Sequence, residues 1–224
     1  MADILFFKEC SFNNKSIVGG KNSSLGELYH LSQKLNFSIA DGFAITTMLY
    51  DKFISQNNLN DFIKSKIDEI NFDDLNHLEN ISKCIIDKIF NSEFTNDQIK
   101  QIEDNYNKLS SLYLKENLEV AIRSSAIAED LPNASFAGQQ DTFLNIFGID
   151  DVIINVKKCY GSLFNSRAIS YRNTHNIPFE DVKISVAVQK MVRSDLGSAG
   201  VAFSIDPETG YDKSIVINSS FGLG

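Results

Sequence analysis

The chain has 224 residues, 43% of them hydrophobic and 22% charged, a size and composition that support a buried core in one large domain or two lobes. Twenty-nine acidic against twenty-one basic residues leave a net charge of -8, which disfavours a nucleic-acid binder while leaving room for a local basic pocket for a small anion. The three cysteines, Cys10, Cys84 and Cys159, are widely spaced with no CxxC pair, so neither a disulfide framework nor a zinc site is expected and a reducing cytoplasm fits best. The start MADILFFKEC lacks the basic end and apolar run of a secretory signal, and no stretch approaches the roughly 20 apolar residues of a membrane span.

In chain order the pattern is mixed α and β. Residues 4–7 read as a short strand. Ser24 and Glu27 form an S-x-x-E capping box, which predicts a helix starting there and carrying Leu28, Leu31 and Leu35. Residues 42–46 read as a second strand, followed by a helix with Tyr50, Phe53 and Ile54. Residues 59–114 are helical throughout. The best helix starts at Thr95, with Gln98 at the capping-box position and Phe94 and Ile99 as a hydrophobic staple; Ile99, Ile102, Tyr106 and Leu109 then recur at helical spacing. This region reads as scaffold without chemistry.

The character changes near Leu118. Strands are predicted over 119–123 and 142–146, with small residues between them, and helices over 150–171. Ile184, Val186 and Val188 alternate with Ser185, Ala187 and Gln189, the period of a strand. Further strands are predicted over 201–205, ending at the turn 206–210, and over 214–218. The sequence ends at Phe221-Gly222-Leu223-Gly224 with no closing helix, which reads as a truncation.

Four places have candidate chemistry. Gly19-Gly20-Lys21 combines glycines that let backbone approach an anion, a following helix N-terminus and a full positive charge; a plain turn with a surface lysine is the alternative. It is not a Walker A loop, which requires glycine where Lys15 stands and Ser or Thr where Asn22 stands. Arg123, at the end of the apolar strand VAIR, offers a fork of donors suited to phosphate, or else pairs with Glu129 or Asp130. The loop 134–142, with Gly138 and Thr142, reads as a phosphate-covering flap or as an ordinary hairpin loop. Gln189 reads an adenine or ribose edge, or is a satisfied buried amide. His30, His77 and His175 have no triad or metal-site spacing, and Asp73-Asp74 and Asp150-Asp151 read as helix-start acids.

The order and wording of four segments join these pieces. VGGKNSSLGEL (18–28), VAIRSSAIAEDLPNASFAGQQDTFLNI (120–146), CYGSLFNSRAISYR (159–172) and VQKMVRSDLGSAGVAFSIDPETG (188–210), with the terminal SSFGLG, resemble the phosphoenolpyruvate synthase (pyruvate, water dikinase) family. Pyruvate phosphate dikinase and rifampicin phosphotransferase belong to the same wider group. The likeness covers nearly the whole chain, although 56–117 matches only in helical character.

The resemblance implies an α/β (α+β) protein of ATP-grasp fold: a first lobe over 1–190 with a helical insert at about 59–115, and the incomplete start of a second lobe over 191–224. It implies that Lys21 and Arg123 contact the ATP phosphates and that Gly138 and Thr142 belong to the covering loop. It also implies that Gln189 and the backbone at Met191 lie at the nucleotide. No catalytic or metal-binding residue is expected within these 224 residues; the Mg²⁺ ligands, the phosphohistidine domain and the pyruvate-binding barrel are expected beyond Gly224. The expected partners are ATP, and pyruvate only for the full-length enzyme, with no nucleic acid and no membrane. A homodimer is compatible with the full-length enzyme. Its reaction would convert pyruvate, ATP and water to phosphoenolpyruvate, AMP and phosphate, with these residues inactive alone. The alternatives are a rifampicin phosphotransferase-like antibiotic kinase and a non-catalytic nucleotide-binding fragment.

Overall fold

A computed structural model describes residues 2–127 and 141–222, together with the backbone of 130–131 and 134–135. The described chain forms two units, Met1–Lys190 and Met191–Gly224.

The first unit opens with strand β1 (Ile4–Phe6) and helix α1 (Lys15–Ser32). Strand β2 (Gly42–Ile45) leads into helices α2 (Thr47–Gln56), α3 (Leu59–Asp68), α4 (Leu75–Phe90) and α5 (Asn96–Leu112). Strand β3 (Val120–Ala126), the short pair β4 (Asp130–Leu131) and β5 (Ala134–Ser135), and strand β6 (Thr142–Ile146) follow. Helices α6 (Ile149–Ser162) and α7 (Ser166–Thr174) lead to strand β7 (Ile184–Lys190).

Five of these strands form one antiparallel sheet in the order β1-β2-β7-β3-β6, an α+β arrangement. Strand alternation gives its two faces different duties. Phe43 and Ile45 on β2, Val120 and Ile122 on β3, and Ile184, Val186 and Val188 on β7 join the large core built with helices α2 to α7. Ala44 and Ala187, on the opposite face, join a smaller cluster with Phe7, Cys10 and Val18. β7 is buried along most of its length because both faces are covered.

Local chemistry sets the helix starts. The Thr95 hydroxyl accepts from the Gln98 amide while the Gln98 side chain accepts from Thr95 N–H, so the expected capping box is present at α5. Asp74 caps α4, and Asp150 and Asp151 occupy the first turn of α6, as helix-start acids do. An aromatic group stacks the helical layer: Phe53 lies 5.4 Å from Tyr160 and 4.6 Å from Phe94, centroid to centroid. Such pairs contribute about 0.5–1.5 kcal/mol each beyond the area they bury. The buried Tyr106 hydroxyl donates to Leu118 O at 2.7 Å and accepts from Gly148 N at 3.1 Å, tying α5 to the approaches of β3 and α6. Arg172, also buried, donates to the carbonyl of Leu163 at the C-terminal end of α6, where the helix dipole favours a cation.

Helix α1 departs from the sequence expectation. It begins at Lys15, not at Ser24, and is broken by a kink at Gly19. Ser24 therefore lies inside a helix and caps nothing, and the Glu27 carboxylate instead accepts from Phe12 N–H at 3.0 Å. Nor do Leu28, Leu31 and Leu35 face the core: they are 41%, 45% and 58% exposed. The buried side of α1 is Val18, Gly19, Gly20, Asn22, Ser23 and Gly26. Small residues are needed there because a Cβ on Gly26 would sit 2.0 Å from Cys10 O.

The second unit is a hairpin of β8 (Ser198–Phe203) and β9 (Val216–Phe221), paired from Ser198↔Phe221 to Phe203↔Val216. Both strands lie a few residues from the predicted 201–205 and 214–218. Asp206 organises the loop at the expected turn, accepting from Glu208 N–H at 2.9 Å and from the Thr209 hydroxyl at 2.7 Å. These donors, Thr209 first, hold the Asp206 carboxyl below the usual carboxylate range. Among the described residues no helix is long and apolar enough to cross a membrane.

Candidate functional site

The candidate residues of the first unit gather on the sheet face that α1 covers. The register fixes this: Arg123 stands opposite Thr142 on β6 and Ala187 on β7, and Ala121 stands opposite Gln189. Cross-strand partners share a face, so Thr142, Arg123 and Gln189 lie on one side of three adjacent strands. Ala187 is small, which leaves room for the Arg123 side chain to reach diagonally across β7. Its guanidinium donates to Gln189 Oε1 at 3.2 Å. Gln189 Nε2 in turn donates to Ala40 O at 3.0 Å. The amide orientation follows from the partners, since a guanidinium only donates and a carbonyl only accepts. Gln189 is thus a buried amide engaged at both ends, and it aims Arg123.

Lys21 enters from α1. At Gly19 the backbone has φ 77° and ψ 169°, and a Cβ there would lie 2.3 Å from Ser125 Oγ and 2.4 Å from Ser125 O. The chain touches β3 at this point and then starts a new helical segment that carries Lys21. The Lys21 ammonium donates to Ser124 O on β3 at 3.4 Å, one residue from Arg123. Two cations are thereby brought to neighbouring positions of one strand from elements a hundred residues apart in sequence. The Asn22 N–H, at the start of the new segment, is accepted by Ser125 Oγ at 3.4 Å. That donor is therefore already used within the protein.

Thr142 is exposed on edge strand β6. Gly138, with the rest of 136–140, lies outside the described residues, as does Glu129; the alternative pairings of Arg123 with Glu129 and the Asp130 side chain fall there too. Met191 follows β7 directly and opens the second unit. Sequence reasoning missed Asn22, Ser125, Ser185 and Ala40, which support the two cations. Ser185 had a signal in the same alternation that singled out Gln189; Asn22 and Ser125 had only their adjacency to Lys21 and Arg123.

Among the described residues no other chemistry is assembled nearby. His77 Nδ1 accepts from Asn71 N–H at 3.1 Å, and the His175 ring stacks on Tyr171 with centroids 4.0 Å apart. Burial pushes the Cys10 thiol up to about 12, with the Glu9 charge adding to the shift. Cys159 is also raised by burial, helped by Asp141 and opposed by Lys21. Neither thiol is a nucleophile at neutral pH. Among the described residues no three His, Cys, Asp or Glu side chains cluster as a metal site. A cavity of about 510 Å³ lined by Lys64, Ile67, Phe72, Arg172 and Phe179 shares no residue with the cationic site.

Residues 15–224 match the family model of the pyruvate phosphate dikinase AMP/ATP-binding domain. The chain belongs to that family. It is 45% identical over 224 residues to a phosphoenolpyruvate synthase of Helicobacter pylori, covering 100% of this chain and 28% of that protein. It is 43% identical over 221 residues to a phosphoenolpyruvate synthase of Aquifex aeolicus, covering 99% of this chain and 26% of the relative. A third, from Escherichia coli, is 43% identical over 225 residues, covering 99% of this chain and 28% of the relative. The chain thus spans little more than a quarter of the length of the curated relatives it matches. Within the family, the sheet face with Lys21 and Arg123 is the candidate nucleotide site of this domain.

Proposed function

We propose that this chain is the ATP-binding portion of a phosphoenolpyruvate synthase. The observation that carries the proposal is the meeting of Lys21 and Arg123 at adjacent positions of β3, in a member of a nucleotide-binding dikinase family. On this reading Met1–Lys190 is the first lobe of an ATP-grasp fold and Met191–Gly224 begins the second. ATP is the substrate, held by its phosphates. The ammonium and the guanidinium neutralise phosphate charge, Gln189 keeps the guanidinium oriented, Thr142 offers a hydroxyl from the neighbouring strand, and Gly138 belongs to the covering loop. The backbone at Met191 lies along the nucleotide. The donor set suits a polyanion: an ammonium held at Ser124 O and a guanidinium held by Gln189. Phosphoryl transfer depends chiefly on such positioning and neutralisation.

In the whole enzyme Mg²⁺ would add further neutralisation, with ligands supplied outside the described residues. The complete reaction would take pyruvate, ATP and water to phosphoenolpyruvate, AMP and phosphate through a phosphohistidine on a separate domain. The names of the relatives favour pyruvate over an antibiotic as acceptor. A cytoplasmic setting is supported by three unpaired cysteines. The homodimer belongs to the same proposal for the whole enzyme.

Calorimetric titration with ATP tests the site. A charge-assisted contact is worth about 1.5–3 kcal/mol, so Lys21→Ala and Arg123→Ala should each weaken ATP binding roughly 10- to 100-fold. Unchanged affinity in both variants refutes the assignment. For the activity, a polypeptide carrying this chain at the full length of its relatives should release AMP only when pyruvate is supplied.

A further inference from the structure

Between Lys21 and the sheet lies a polar junction that packing alone does not require. Asn22, Ser125 and Ser185 are all fully buried or nearly so, at 0% exposure each. Asn22 Nδ2 donates to Ser185 Oγ at 3.0 Å, and the Ser185 hydroxyl donates to Ile45 O at 2.7 Å. The single proton of Ser185 is committed to Ile45, so its oxygen faces Asn22 only as an acceptor. Only the nitrogen end of the Asn22 amide can face it. The other end, Asn22 Oδ1, is buried without a donor. An amide buried with one end unsatisfied destabilises the fold relative to an apolar side chain of the same size. A filler role would be better served by leucine.

What the amide does provide is direction. Asn22 is the residue after Lys21, and its side chain is tied through Ser185 on β7 to the carbonyl of Ile45 on β2. Its main-chain N–H is tied to Ser125 on β3. The turn that carries Lys21 is thereby pinned to three neighbouring strands at a point where Gly19 already touches Ser125. Arg123 is fixed on the same face by Gln189 and Ala40. We infer that Asn22, acting with Ser185, is a positioning residue that sets the place of the Lys21 ammonium relative to the Arg123 guanidinium, and so tunes recognition of a nucleoside polyphosphate. It touches no substrate itself. The inference rests on the phosphate-binding reading of Lys21.

The test is a double-mutant cycle read with two probes, ATP and adenosine, on the parent chain, Asn22→Ala, Lys21→Ala and the double variant. Asn22→Ala should raise the Kd for ATP about tenfold, as expected for coupled neighbours, with the adenosine Kd moving less than about twofold. In the Lys21→Ala background the effect of Asn22→Ala on ATP should vanish. Should Asn22→Ala fail to fold, Ser185→Ala, which removes a single oxygen, carries the same expectations. Equal losses for ATP and adenosine, or an undiminished Asn22→Ala effect when Lys21 is absent, overturn the inference while leaving the phosphate reading intact. A Lys21→Ala variant with parental ATP affinity overturns that reading, and the inference with it.

Discussion

Replacing Gly19 by alanine probes how Lys21 is placed, and Gly148 supplies a matched control. The two glycines share an unusual backbone: φ 77° and ψ 169° at Gly19, φ 84° and ψ 158° at Gly148. A side chain in this region costs about 1–3 kcal/mol wherever it occurs. Their surroundings differ. A Cβ at Gly148 meets nothing within 4 Å, whereas at Gly19 it would lie 2.3 Å from Ser125 Oγ and 2.4 Å from Ser125 O. Ser125 belongs to β3 and pairs with Ser185 on β7, which holds its backbone oxygen in place. Relieving such a contact by moving backbone costs about a further 1–3 kcal/mol. Gly148 also occupies the N-cap of α6, where alanine is worse than glycine by about 0.5–1 kcal/mol, which narrows the gap. Urea unfolding should therefore show Gly19→Ala less stable than Gly148→Ala by about 1–2 kcal/mol at equal denaturant slope. Because relief of the clash must shift the turn leading to Lys21, Gly19→Ala should also weaken ATP binding, and Gly148→Ala should not. Equal or reversed stabilities would refute the claim that the helix kink is held against β3 by close contact.

Three further outcomes follow from burial. Cys10 has its thiol raised from 9.0 to about 12 by burial and by Glu9, so the folded state keeps a proton that the unfolded state releases above 9. Stability should be at its full value below pH 9 and fall as pH rises toward 12, by up to about 1.4 kcal/mol per unit for this group, less so in Cys10→Ala; a flat profile refutes it. In native protein a thiol reagent should titrate one cysteine, the exposed Cys84, and reach Cys10 and Cys159 only after unfolding. Arg172, whose guanidinium burial lowers to about 10, donates to Leu163 O and lies 5.3 Å over the Phe164 ring. Arg172→Ala should lose about 2–4 kcal/mol in urea unfolding, while Arg172→Met, which keeps the volume and removes a buried charge, should lose less than half of that.

The strands and the best-capped helices were legible because their signals are local. Thr95 and Gln98 cap α5 as their spacing requires, β6 runs over the five residues expected, and the alternation of 184–189 is that of β7. α1 was misread because its start and its buried side are decided by contacts distant in sequence. Nothing near Ser24 announces that the helix has begun at Lys15, since the break at Gly19 is imposed by Ser125. Leu28, Leu31 and Leu35 are exposed, and the buried side of α1 comes so close to Ser125 at Gly19 and to Cys10 at Gly26 that neither glycine has room for a Cβ. For the candidate site, Lys21, Arg123, Thr142 and Gln189 were visible as residues. Their shared face was not, because it depends on the pairing of β3 with both β6 and β7.

That pairing explains how one sheet serves both as core and as chemical surface. Along β3 the residues Val120, Ile122 and Ala126 belong to the large apolar cluster, while Arg123 and Ser125 point to the α1 side. Along β7 the division repeats, with Val186 and Val188 in the core and Ser185 and Gln189 opposite. Side-chain direction has a period of two, so a slip of one residue in either strand would exchange the sets. Arg123 would then enter an apolar core without a partner, and Ile122 would face Lys21. The apolar residues therefore do more than stabilise the sheet. By making odd register slips costly, they keep Arg123 on the sheet face that Lys21 approaches.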